Sequence, residues 1–325
     1  MSAATTTPSA PASSGAEGAP RPVGRPRSSA SLRHRLADRG IDGQMLLLLP
    51  ALVFILVLFV YPFAYGLGLT LQPTQETVET WGGGVLANYV RFFGDSFTFA
   101  SVWLTARLAI PAALFNVLFS IPLAIKLRHR FRGKRLISTL LVLPITLGTV
   151  LTAQGLLIFA GRQGWLNQAL MGIGLVDQPL DLVHNYIGVL LSLIISGFPF
   201  AFLLISSYFS GIDPSLERAA RSLGAGWAQR FFRITLPLLA PGLATTFILT
   251  FVLAFSVFPS ATLVGNPSGS TRVLAVVAYR FFGEQFDYPM ASTVAIMMGL
   301  AELIVVAIVL FARSFFYKGT TGGKG

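Results

Sequence analysis

The sequence predicts an all-α membrane protein with six transmembrane helices, and three observations carry that prediction. Hydrophobic residues make up 54% of the 325 positions and charged residues 11%, against about 25% charged in ordinary soluble domains. Six runs with almost no charge each approach or exceed the roughly 20 residues that cross a bilayer as a helix. The charges between these runs alternate in sign from one connection to the next.

Residues 1–44 are rich in Ala, Ser, Thr, Pro and Arg and have few large apolar side chains. Such a segment buries too little surface to offset the entropy of ordering, so a disordered tail is expected. The next run, 45–71, is a first transmembrane anchor. It is far longer than the 7–15 residue apolar region of a signal peptide, which argues against a cleaved leader. Further spans are expected near 101–125, 137–160, 186–209, 239–263 and 290–312, within a core of residues 100–312. Pro62, Pro111, Pro144, Pro199 and Pro259 lie in or near these runs. Membrane helices tolerate such kinks where neighbours satisfy the freed carbonyls.

Charge placement predicts the orientation. Residues 1–44, 126–136, 210–238 and the tail from Ala312 together carry +14, whereas 72–100, 161–185 and 264–289 together carry −3. Basic connections stay inside. Both termini, the 126–136 loop and the Asp213 loop are therefore expected in the cytoplasm, with the chain as a multi-pass protein of a cell membrane. The net charge of +11 is thereby assigned to topology and contact with anionic membrane lipid, not to nucleic acid. Two ionisable residues remain inside the runs, Arg107 and Glu302. Arg107 lies near the outer end of its span, where its long side chain can reach the interface. Glu302 is near the middle of the last span, where a charge is costly and faces either a water-filled path or a structural partner.

The stretch from Asp213 to Leu243 is polar and basic at its start and lies between two apolar runs. Asp213 can cap a helix that opens on Pro214, since the first helical position needs no N–H. Gly224 can take the left-handed conformation that ends it. A second short helix is expected to carry Trp227, Phe231 and Ile234 on one face and to stop at Leu236-Pro237.

Ala219-Ala220, three residues, Gly224, nine residues and then Ile234-Thr235-Leu236-Pro237 resemble the EAA loop of the permeases of type I ABC importers, which reads E-A-A-x(3)-G-x(9)-I-x-L-P. The first position departs: Arg218 replaces the glutamate, and Glu217 stands one place earlier. The resemblance implies the type I importer permease fold over the last five spans. It implies that Glu217, Arg218, Ala219, Ala220, Leu223, Gly224, Ile234, Leu236 and Pro237 form the surface that couples to an ATPase. It also implies the partners: a pair of cytoplasmic ATP-binding subunits, a second permease subunit and an extracytoplasmic solute-binding protein. The segments SLERAARSLGA and FPSATLVGNPSGSTRVL are similar to the polyamine branch, with relatives for ferric iron, molybdate, thiamine and aminoethylphosphonate. A slightly acidic outer face and Glu302 in the path suit a cation such as spermidine or putrescine.

No chemistry of its own is expected of this chain. It has no cysteine, so thiolate and disulfide chemistry are absent. Gly133-Lys134 and Gly323-Lys324 lack the upstream glycine and the hydroxyl of a phosphate loop. His34, His129 and His184 have no metal-ligand spacing. No cofactor is implied. The rival reading is a self-contained secondary transporter or channel, which would have no use for an EAA-like loop.

Overall fold

The computed structural model describes residues 43–128 and 133–316. The expected tail, 1–42 of it, and the middle of the 126–136 loop lie outside the described residues. Every described element is helical, and six of the helical segments are long and apolar enough to cross a membrane.

The chain forms two units. The first ends at Tyr61 and contains α1 (Gly43–Ile55) and one wide turn, Leu56–Val60, in π geometry. Its side chains from Leu48 onward are apolar and exposed, as a lipid-facing helix requires.

The second unit starts at Pro62. It comprises α2 (Tyr61–Thr70), α3 (Gln75–Trp81), α4 (Ala87–Gly94), α5 (Ser96–Arg128), α6 (Lys134–Ala160), α7 (Trp165–Gly172) and α8 (Tyr186–Ser210), followed by α9 (Pro214–Ser222), α10 (Trp227–Arg230), α11 (Leu236–Phe255), α12 (Pro259–Leu263), α13 (Leu274–Tyr279) and α14 (Tyr288–Phe316). Side-chain caps mark several starts. Thr74 accepts from the Thr77 N–H at 3.3 Å, Asn185 from the Gly188 N–H at 3.0 Å, and Asp287 from the Met290 N–H at 3.1 Å. Each satisfies a donor that has no partner within its helix.

The bundle centres on α5 packed along α8, with α11 against both. Small residues allow this approach. Ala109, Ala112 and Ala113 are fully buried on one stripe of α5. Gly197 of α8 lies directly under the amide of Asn116, and Gly242 of α11 under the ring of Tyr208, so a β-carbon at either would collide. Without a hydrophobic drive between helices in lipid, such close backbone packing is what holds membrane spans together. On the far side of the bundle, Arg91 pairs with Asp287 at 2.9 Å. Arg272 sits over the Phe97 ring and donates to Phe97 O at 2.9 Å and Ser101 Oγ at 3.1 Å. These contacts tie the long connections back onto the starts of α5 and α14.

Two expectations about the spans change. The fifth span was placed at 239–263, but the continuous helix runs Trp227–Phe255. It ends early because the chain leaves helical geometry at Ser256 and resumes as the separate α12 at Pro259. Within α6 the departure from helix is at Gly148, with φ 69° and ψ 174°, and not at Pro144. Only glycine adopts that conformation without steric cost, whereas a proline whose ring can be accommodated merely bends the helix.

Candidate functional site

The Asp213 stretch folds as two helical pieces joined by a tight turn. The Asp213 carboxylate accepts from the Ser215 N–H at 2.8 Å. Hydrogen bonding to Ser215, its side chain first and then its backbone, holds this carboxyl below its ordinary pKa. Pro214 occupies the first helical position. At the other end Gly224 has φ +82°, with its N–H on Arg221 O and the Ala225 N–H on Ala220 O, both at 3.0 Å. This pair of bonds is the Schellman closure that a left-handed glycine permits.

The residues of α9 and its C-cap Leu223 divide into two faces by helical spacing. Pro214, Glu217, Arg218 and Arg221 line a cavity of 380 Å³, together with Arg128 from α5 and Trp227 and Arg230 from α10. Leu216, Ala219, Ala220 and Leu223 fall on the opposite face. Leu223 is 88% exposed and Leu216 45%. One side of the helix is thus polar and lines the cavity, and the other is apolar and largely exposed.

Glu217 holds the inner side. It pairs with Arg128 Nη1 at 3.2 Å and accepts from Thr235 Oγ1 at 3.2 Å, while Arg128 Nη2 donates to Ile212 O at 2.9 Å. The end of α5, the start of α9 and the turn after α10 meet at this one carboxylate. Sequence reasoning missed both partners. Arg128 was counted only for topology, and Thr235 occupies the variable position of the Ile-x-Leu-Pro motif.

Leu236-Pro237 does not end the second helix, contrary to expectation. Trp227 and Phe231 stack at 5.7 Å with their rings nearly parallel. The chain then widens over Phe231–Thr235 into one π turn, where the Leu236 N–H reaches Phe231 O, and continues as α11. A π turn shifts the bonding register by one residue, so the missing N–H and ring of Pro237 are absorbed without breaking the helix. Ile234 and Leu236 are half-buried and Thr235 is buried beside them. From Trp227 onward the stretch is therefore one continuous helix that runs to Phe255, and the Gly224 turn separates α9 from it.

Glu302 lies midway along α14, half-buried. Ser256 Oγ lies 2.8 Å from both Glu302 Oε1 and Val252 O, and its single proton serves one of them at a time. Ser256 is the residue at which α11 ends. Among the described residues no cation pairs with Glu302; Arg107 is exposed, and its backbone carbonyl accepts from the Tyr186 hydroxyl at 2.7 Å. No group of three His, Asp or Glu among the described residues gathers as a metal site.

Residues 116–321 match the family described as binding-protein-dependent transport system inner membrane component. A probable sulfate transport permease from Prototheca wickerhamii is 32% identical over 69% of this chain and 86% of its own length. The spermidine/putrescine permease PotB of Haemophilus influenzae is 30% identical over 70% and 79%. The molybdenum permease ModB of Escherichia coli K12 is 31% identical over 64% and 88%. Among solved structures, a chain of a bacterial alginate ABC transporter superposes with a TM-score of 0.72 at 21% identity, covering 89% of this chain and 99% of that one; the likeness shows the fold. With a matching family over most of the chain, a relative 32% identical that is covered over 86% of its length and six apolar helices, the chain belongs to the binding-protein-dependent inner membrane components and is a non-catalytic permease subunit of the type I ABC importer class.

Proposed function

We propose that this permease couples to its ATP-binding partner through the exposed face of α9, and that Glu302 and Ser256 line the solute path. The single observation that carries the coupling proposal is the division of α9 and its end: Glu217 anchors the inner face while Ala219 and Leu223 are exposed and Ala220 is half-buried. Small exposed side chains let a partner backbone approach closely, and the continuous helix from Trp227 into the membrane passes a push at the loop into a span. In this reading residues 213–243 form the coupling loop of a core spanning 100–312. Arg218, next to Glu217 but free of it, stands at the rim. Gly224 ends the docking helix, and Ile234, Leu236 and Pro237 set the rigid join. A second permease subunit, a pair of ATP-binding subunits and an extracytoplasmic binding protein complete the importer, with the loop and both termini facing the cytoplasm.

The decisive test is substitution at Gly224. Nothing lies within 4 Å of a β-carbon there, so Gly224→Asp strains only the backbone, by roughly 1–2 kcal/mol. The permease should reach the membrane at normal levels yet fail to co-purify with its ATPase or to support solute-stimulated ATP hydrolysis. Ala219→Lys should behave alike. Full binding and full stimulation in Gly224→Asp would overturn the coupling role.

For the solute, we favour a small cation of the polyamine type. The 30% identity to PotB supports it, as does a carboxylate in the span whose partner among the described residues is a hydroxyl. An oxyanion is the second reading, favoured by the 32% identity to the sulfate permease. Spermidine binding to the cognate binding protein, with no sulfate binding, would support the first and exclude the second.

A further inference from the structure

We propose that the cavity inside α9 is a site for an anionic phospholipid, with its phosphate on Arg218, Arg221 and Arg230 and one acyl chain lying along α5. The proposal rests on the cytoplasmic orientation of the Asp213 loop argued above, which places the cavity at the leaflet where anionic lipids are concentrated.

The charge requires an anion. Four arginines and one glutamate line the cavity, and the glutamate is already held by Arg128. Among the described residues no carboxylate lies within ion-pair distance of Arg218, Arg221 or Arg230. Arg218 and Arg221 are exposed where they line it, and Arg230 is half-buried with Nη1 on Ala225 O at 3.2 Å; their planar donors match a phosphate.

The shape requires an acyl chain. Ile125, Trp227 and Phe231 line this cavity and also a second one of 660 Å³, whose remaining wall is Leu118, Ile121, Pro122 and Lys126. The two adjoin at the Trp227–Phe231 stack, which forms part of the wall of each, and the first carries the charged residues while the second is mostly apolar. From Arg128 to Leu118 is ten residues along α5, about 15 Å at the helical rise, and one leaflet of hydrocarbon is about that deep. Trp227 stands where the two cavities adjoin, and tryptophans are enriched at the bilayer interface. A free phosphate would use the arginines alone, and an acidic side chain from the ATPase would leave the groove inside the span empty. A phospholipid fills both.

The test uses the full permease chain without its ATPase, with Trp81, Trp103 and Trp165 replaced by Phe so that Trp227 reports alone. Vesicles of phosphatidylcholine carry about 20% of either phosphatidylglycerol or phosphatidylcholine with brominated acyl chains, which quench nearby tryptophan. Brominated phosphatidylglycerol should accumulate at Trp227 with about a thirtyfold preference, the order expected for two basic contacts. Arg221→Gln with Arg230→Gln should abolish the preference, and the corresponding Lys pair should keep most of it, which guards against misfolding. Equal quenching by both lipids in the parent chain overturns the proposal, as does a preference that survives the Gln pair. Loss of the preference on adding inorganic phosphate identifies a small-anion site and also overturns it. A Gln pair that loses ATPase binding with lipid preference intact assigns the cavity to an acidic partner side chain instead. Failure of the coupling reading shows separately, as a Gly224→Asp permease that still binds its ATPase, and leaves this measurement unaffected.

Discussion

At the scale of single residues, the two ionisable groups singled out within the spans meet different fates. Arg107 is exposed on α5, and its guanidinium can reach the interface along its own stem. Glu302 is held by one neutral donor, Ser256, at the end of α11. A carboxylate in the interior of a membrane with a single hydroxyl contact is poorly compensated, and such groups belong to paths more often than to packing. Glu302→Gln keeps the shape and the contact with Ser256 while removing the charge. The expected outcome is an importer that assembles normally but takes up its solute several-fold more slowly. Uptake into reconstituted vesicles measures this against the amount of assembled complex. Unchanged uptake would assign Glu302 to structure, and loss of assembly would assign it to helix packing.

At the scale of elements, α9 depends on contacts from both ends of the chain segment around it. Its caps are local: Asp213 below and Gly224 above. Its orientation is not local, because Glu217 reaches Arg128 and Thr235. The loop should therefore loosen, not unfold, when that carboxylate is removed. Glu217→Ala and Arg128→Ala are each expected to reduce stimulated ATP hydrolysis modestly, and the double variant is expected to be no worse than the stronger single one. Residues acting through one shared contact give such non-additive effects, with interaction energies of about 0.5–3 kcal/mol. Strictly additive losses in this cycle would show that the pair does not position the loop. Separately, the low-lying Asp213 carboxyl means that its cap contributes above the ordinary carboxylate range and is lost as pH falls through its depressed value; the loop needs no pH adjustment near neutrality.

At the scale of the whole molecule, topology is the property most exposed to test. Six spans, with +14 on one set of connections and −3 on the other, predict that reporter fusions at Lys134 and Ala225 read as cytoplasmic. Fusions at Gly83 and Asn266 should read as external. A cytoplasmic reading at Gly83 would reverse the first span and with it the assignment of the Asp213 loop to the ATPase side.

The sequence by itself determined the properties that depend on neighbours in the chain. Six apolar runs and the cap residues of α9 are local, because a helix of about 20 apolar residues satisfies its own backbone bonds and a terminus is closed by residues within one turn. The EAA-like spacing was readable for the same reason, since its alanines and glycine lie on one short helix and its turn. What only the tertiary structure decided are choices among neighbours far apart in sequence. Glu217 could have faced a partner protein; instead it faces Arg128, 89 residues away. Pro237 reads as a stop, but a widened turn at Phe231–Thr235 carries the helix through it. The break in α6 is at Gly148 and not at the nearby proline. Glu302 meets Ser256 because α11 ends where it passes α14. Each of these weighs one backbone or side-chain geometry against another of similar local cost, and the balance is struck by which helix packs alongside.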